Sequence, residues 1–202
     1  MSIKVMLADD QAMVRGALAA LLDLENDLQV VGEVGRGDEV VPQAVRAGPD
    51  VVLMDVEMPG LDGIAATAAL KQRLPAVRVL VVTTFGRPGY LRRGLQAGAD
   101  GFVVKDTPAR ELADAVRRVH QGLRVVDPAL AADSLIAGES PLTEREAEVL
   151  RASLDGGTVA DVARALFLSE GTVRNHLSSV IGKTGARIRA EAARIAVDNG
   201  WL

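Results

Sequence analysis

No cysteine occurs in the chain, which excludes disulfides, thiolate zinc sites and thiol nucleophiles. No basic-then-apolar leader opens it, and no apolar run approaches the ~18 residues of a membrane-spanning helix. A soluble, cytoplasmic protein without membrane insertion is expected. Internal repeats and low-complexity tracts are missing too. The two histidines, His120 and His176, are isolated, as surface or packing residues usually are. Nor is there a general excess of basic charge, because the formal net charge is −4. Its distribution matters more than its sum. From Gly171 to Arg194 the charged residues are Arg174, Lys183, Arg187, Arg189, Glu191 and Arg194, a basic stretch within an acidic chain. Nucleic-acid contact and a solvated helix face would both produce it.

What is present is 202 residues, enough for two small domains. In the first part, the apolar runs Ile3–Ala8, Asp50–Met54, Val77–Val82 and Gly101–Val104 are short and rich in Val and Leu. They lack polar alternation, as expected of parallel strands buried on both faces. Leu28–Val34 is a fifth candidate. Helical patterns lie between and after them, at Gln11–Leu24, Asp38–Ala47, Asp62–Arg73, Pro88–Ala97 and Pro108–Gln121. Five strand–helix alternations predict an α/β fold, a five-stranded parallel sheet wound on both sides. Thr107 before Pro108 reads as a helix start, a capping side chain followed by proline in the first turn.

After Gly122 the strand pattern stops. Leu123–Pro141 reads as a linker with a short helix near Pro128–Ile136. Four helices are then predicted, at Thr143–Ser153, Thr158–Ala165, Glu170–Lys183 and Arg189–Asp198. Thr143 with Glu146, and Thr158 with the shorter Asp161, match capping boxes at helix starts. A small all-α four-helix domain is expected here.

Polar residues gather where the strands end. The first strand runs into Asp9 and Asp10, the third into Asp55, the fourth into Thr83 and Thr84, and the fifth into Lys105. Parallel strands all point one way, so these side chains converge at the carboxyl edge, where open α/β sheets bind ligands. One lysine does not neutralise three carboxylates. A hard divalent cation with oxygen ligands resolves the repulsion, and Mg²⁺ is the expected one. An aspartate there can attack phosphorus, while the metal and the Lys105 ammonium supply positive charge to the moving group. Thr83 can donate a hydrogen bond to a phosphoryl oxygen. Ordinary strand-end polar residues facing water would be the alternative for any one of these positions taken alone.

The pieces VMLADD, VVLMDVEMPGLDG, VLVVTT and GFVVKD make residues 1–122 resemble the receiver domain of bacterial two-component response regulators. That resemblance implies that Asp55 is the phosphoacceptor and that Asp9 and Asp10 form the acidic pocket, with Asp10 the surer Mg²⁺ ligand. It also implies that the Glu57 backbone carbonyl is a further metal ligand, that Pro59 and Gly60 shape the loop, and that Thr83 and Lys105 sense the phosphoryl group. Phe102 stands where the family keeps a switch aromatic. On this reading phosphorylated Asp55 draws in Thr83, and the Phe102 ring turns into the space released.

In the helix Glu170–Lys183, Val173, Leu177, Val180 and Ile181 form a core-facing stripe. The other side shows Arg174, Asn175, Ser178 and Gly182. Arg and Asn can read guanine and adenine edges bidentately. Together with the shorter helix before it, this is a helix-turn-helix pattern, although a helical protein-interaction domain would share the solvated face. PLTEREAEVL followed by VADVARALFLSEGTVRNHLSSVIGKTGAR makes residues 140–202 resemble the LuxR-type DNA-binding domain. The resemblance implies base contacts from Arg174, Asn175 and Ser178, and backbone contacts from Thr172, Ser179, Lys183, Arg187 and Arg189. Ile188 stands where relatives carry a polar residue.

The expected organisation is therefore a receiver domain at 1–122, a linker at 123–139 and a helix-turn-helix domain at 140–202. The expected function is a response regulator, not an enzyme. A sensor histidine kinase would phosphorylate Asp55 and so control dimerisation and binding to double-stranded DNA, with RNA polymerase as a further partner. SEGTVRNHLS and the terminal Gly-Trp-Leu also resemble regulators of membrane-lipid desaturation. The competing class is a phosphohydrolase with an aspartate nucleophile, because Asp55-Val56-Glu57 has some likeness to a haloacid-dehalogenase motif. That family, however, places its nucleophile after an early strand.

Overall fold

A computed structural model describes residues 2–84, 88–137, 140–154 and 156–202. The chain folds as two compact units, whose main division falls between Asp133 and Ser134, with Gly89 counted in the second unit.

The first unit alternates strand and helix: β1 (Ile3–Ala8), α1 (Ala12–Leu22), β2 (Leu28–Val34), α2 (Val40–Ala47), β3 (Val51–Asp55), α3 (Gly63–Arg73), β4 (Arg78–Thr83), α4 (Pro88–Gln96), β5 (Gly101–Val104) and α5 (Ala109–His120). The strands form one sheet in the order β2-β1-β3-β4-β5-β6, with every pairing parallel.

The sixth strand corrects the expected count of five. It is β6 (Val125–Val126), and it comes from the stretch read as linker. The Asp127 N–H donates to the Phe102 carbonyl at 2.9 Å, which stitches β6 onto β5. Two residues are too few to show any periodicity, so only the open edge of β5 reveals the strand. The same stretch supplies α6 (Pro128–Ala137), matching the short helix expected there. Residues 138 and 139 of the expected linker lie outside the described residues. Thr107 does not cap α5. Pro108 itself takes the N-cap position, with ψ 141° and no side-chain hydrogen bond.

Neighbouring strand residues point to opposite faces, and each face is covered. Met6, Val52, Met54, Val79, Val81 and Phe102 pack on one side with Val40, Ile64, Leu70, Leu91 and Leu130 from helices α2, α3, α4 and α6. Val5, Leu7, Val51, Leu53, Leu80, Val82 and Val103 pack on the other with Leu22, Leu112, Val116 and Val119 from α1 and α5. This double burial is why the strands read as continuous apolar runs. All five residues of β3 are buried, Asp55 included.

The second unit holds α7 (Glu144–Arg151), α8 (Val159–Ala165), α9 (Glu170–Thr184) and α10 (Arg189–Asp198) around one core that includes Leu150, Val162, Val173, Leu177, Val180 and Ala196. Both expected capping boxes form. Glu146 Oε2 accepts from the Thr143 N–H at 2.7 Å, and Asp161 Oδ2 accepts from the Thr158 N–H at 3.0 Å. Ser169 caps α9 by accepting from the Thr172 N–H at 3.0 Å. The turn between α8 and α9 runs through Phe167, which has φ +54°, an uncommon conformation for a non-glycine residue.

Candidate functional site

The carboxyl ends of β1, β3, β4 and β5 bring the expected polar residues together. Carboxylate oxygens of Asp9, Asp10 and Asp55 lie within 4.8 Å of one another. Asp9 and Asp55 are buried and Asp10 is exposed at the mouth. The Lys105 ammonium sits between the two buried acids, 2.7 Å from Asp9 Oδ2 and 2.9 Å from Asp55 Oδ2. Thr83 is buried at the end of β4, and its carbonyl accepts from the Lys105 N–H at 2.7 Å, which aligns the fourth and fifth strand ends. Backbone donors fix the remaining carboxylate oxygens. The Gln11 N–H donates to Asp9 Oδ1 at 2.9 Å, and the Val56 N–H to Asp55 Oδ1 at 2.7 Å.

Burial pushes the Asp55 carboxyl above its ordinary range; Lys105 opposes the rise and the Asp9 charge adds to it. Burial also opposes charge on Lys105, but hydrogen bonds and ion pairs to Asp9 and Asp55 outweigh it and raise the ammonium above its ordinary value. Lys105 therefore stays a cation. One ammonium against three carboxylates leaves excess negative charge among hard oxygen donors, the chemistry that suits Mg²⁺.

The loop after Asp55 makes a sharp turn at Gly60, with φ +81° and Asp38 and Arg36 close beside it. Glu57 lies exposed on this loop, and its side chain accepts from the Tyr90 hydroxyl at 3.1 Å, a contact from α4 that sequence patterning did not reveal. Phe102 is fully buried beneath α4. A Cβ at Gly94 would stand 2.1 Å from its Cζ, so glycine at that position makes the seat for the ring.

In the second unit Arg174, Asn175 and Ser178 lie exposed on one face of α9, with Val173, Leu177 and Val180 on the buried side. Arg174 pairs along the helix with Glu170. The expected backbone-contacting residues divide. Arg187 has an exposed side chain, and Thr172 is half-buried with its hydroxyl 2.8 Å from that of Ser169. Ser179 and Lys183 both engage Glu146, each at 2.6 Å, and Arg189 donates to the Gly157 carbonyl at 2.9 Å. Glu146 is thus a buried hub joining the start of α7 to the middle of α9. Burial opposes its charge, but Lys183, Ser179 and Thr143 together hold its carboxyl down at about 2. Ile188 is the N-cap of α10, 60% exposed and unable to cap.

Comparison with known proteins agrees with this division. Residues 5–117 match the model of the response regulator receiver domain, and residues 140–196 match that of the bacterial regulatory proteins of the luxR family. The chain is 42% identical over 200 residues to the uncharacterised transcriptional regulatory protein YvfU of Bacillus subtilis, covering 99% of this chain and 100% of that one. It is 41% identical over 200 residues to the transcriptional regulatory protein DesR of the same organism, covering 99% of each. Among solved structures it resembles the response regulator ChrA of a heme-sensing two-component system, with TM-score 0.60, 34% identity, and 100% of this chain and 99% of that one covered. With a receiver sheet carrying an acidic pocket, a helix-turn-helix unit later in the sequence and relatives matched from end to end, the chain belongs to the LuxR family of response regulators.

Proposed function

We propose that Asp55 accepts a phosphoryl group from a sensor histidine kinase, and that this modification controls pairing of two copies and their binding to double-stranded DNA through α9. The observation that carries the reading is the convergence of Asp9, Asp10, Asp55 and Lys105 at one edge of the sheet. In the transfer, an Asp55 carboxylate oxygen forms the new bond to phosphorus as the bond from phosphorus to the donor's imidazole nitrogen breaks. Asp9, Asp10, Asp55 and the Glu57 backbone carbonyl would hold a Mg²⁺ ion, which supplies positive charge to the phosphoryl oxygens when bound. Lys105, already aimed at Asp55, turns its ammonium to the incoming group. The Thr83 hydroxyl donates to a phosphoryl oxygen, and the inward seat of the Phe102 ring under α4 is the position this movement favours. The binding energy of the phosphoryl group thereby biases a two-state equilibrium.

Arg174, Asn175 and Ser178 contact base edges in this reading, with Thr172 and Arg187 toward the backbone. The internal partners of Ser179, Lys183 and Arg189 favour roles in holding the unit together over the phosphate contacts first expected of them. RNA polymerase is a further partner. The protein is a regulator that undergoes its own phosphorylation rather than an enzyme with turnover, and the relatives' names as transcriptional regulatory proteins support this over a phosphohydrolase.

The test is incubation of the full chain with a small phosphodonor such as phosphoramidate and Mg²⁺, read by intact-mass spectrometry. One phosphoryl group is expected on the wild type and none on Asp55→Ala. Phosphate carried on the same unit of the variant would sink the assignment.

A further inference from the structure

Two glycines lie in α9, Gly171 in its first turn and Gly182 in its last. Alanine is the better helix former at such positions, because glycine loses more backbone freedom on folding. A helical glycine is usually explained by a neighbour that leaves no room for a Cβ, or by a left-handed backbone. Neither reason applies here. A Cβ on Gly182 would meet nothing within 4 Å, and one on Gly171 would meet only the Ser169 hydroxyl, at an ordinary 3.7 Å. Neither residue has a positive φ.

Their placement on the helix is informative. Positions 171, 174, 175, 178 and 182 follow one another in helical steps and share a face, and all five residues are exposed. The glycines therefore bracket Arg174, Asn175 and Ser178. Asn and Ser have short side chains, so they touch base edges only if the helix axis sits deep in the groove. The major groove is about 12 Å wide and a helix with its side chains is about 10–12 Å across, so each methyl at the flanks of the reading face matters.

We propose that Gly171 and Gly182 are the points of closest approach between α9 and DNA, where bare helix backbone lets the sugar–phosphate walls close in and brings Asn175 and Ser178 within reach of the bases. This rests on the reading of α9 as the recognition helix. It adds two specificity-determining positions that carry no side chain at all.

The experiment compares full-length Gly171→Ala, Gly182→Ala and the double variant with wild type. Stability is read from the thermal unfolding of Trp201 fluorescence. Binding is read by anisotropy, using a short duplex selected by the wild-type chain from a random-sequence pool and a mixed-sequence duplex as reference. Each alanine variant is expected to melt at or above the wild-type Tm yet bind the selected duplex about ten-fold more weakly, with a smaller loss on the mixed duplex, whose binding rests on phosphate charge. Wild-type affinity in the alanine variants overturns the proposal, and so does a fall in Tm, which would place the need for glycine inside the fold. Arg174→Ala and Asn175→Ala are measured alongside. If they weaken binding and the glycine variants do not, the closest-approach proposal fails and the recognition face stands. If none of the four has an effect, the recognition face itself is wrong.

Discussion

Replacing Glu146 by glutamine tests how the second unit is held together. Glu146 accepts hydrogen bonds from the Thr143 backbone, Ser179 and Lys183, and its carboxyl titrates at about 2 instead of an ordinary 4.5. That difference corresponds to about 3 kcal/mol of folding stability at neutral pH before solvent screening. The Glu146 side chain is 6% exposed, but Lys183 is 35% exposed, so water screens part of the interaction and roughly 1–3 kcal/mol remains. A depressed carboxyl stabilises the fold above its unfolded value and loses that contribution as pH falls toward the folded one. The contribution is therefore complete above about pH 5 and fades between about pH 4.5 and 2.

The assay is denaturant unfolding of the intact chain, followed by fluorescence of its single tryptophan, Trp201, which packs against the core of this unit. Glu146→Gln is expected to lower the midpoint at about pH 7 by an amount equivalent to roughly 1–3 kcal/mol, with the slope unchanged. At about pH 3 the gap between wild type and variant should narrow, and other carboxylates cancel because both proteins carry them. A gap that stays constant across this range, or a variant as stable as wild type at neutral pH, would refute the reasoning.

Arg174→Ala and Asn175→Ala should each cost about 1–3 kcal/mol on a selected duplex in a binding titration, and Arg187→Ala should weaken binding evenly across sequences while flattening the salt dependence. Gly94→Ala should destabilise the first unit by about 1–3 kcal/mol despite its better helix propensity, because its Cβ would press on Phe102. Adding Phe102→Leu should restore part of that loss in a double-mutant cycle followed by calorimetry. Ile188→Ser should raise the melting temperature through about 1 kcal/mol of new capping energy at α10, and a serine variant no more stable than wild type would contradict the cap.

Much of this was legible in the sequence where burial and local chemistry act together. The runs at β1, β3, β4 and β5 stand out because both faces of the sheet are covered, which leaves no polar alternation to confuse them. Asp9, Asp55 and Lys105 could be brought together on paper because parallel strands share a direction, so strand ends become neighbours. The capping boxes at Thr143 and Thr158 were visible because their partners are three residues away. What was hidden depends on distance along the chain or on brevity. Ser179 and Lys183 lie 33 and 37 residues from Glu146, and nothing in their spacing shows that they engage a buried acid. Strand β6 has two residues, and only an open neighbour's edge reveals it. The seat of Phe102 depends on Gly94 in another element.

The six-stranded sheet also acts as a partition. Val81 and Val82 are adjacent in the chain, as are Phe102 and Val103, but in each pair the two side chains belong to separate interiors. Because protein interiors are close-packed, a change in volume is felt first by the atoms it touches. A shift at Phe102 is therefore felt first on the side of α4, while one at Val103 falls on the side of α5. A phosphoryl signal and the stable frame around it can occupy a single thin layer of backbone, and either side can be retuned by substitution without rebuilding the other.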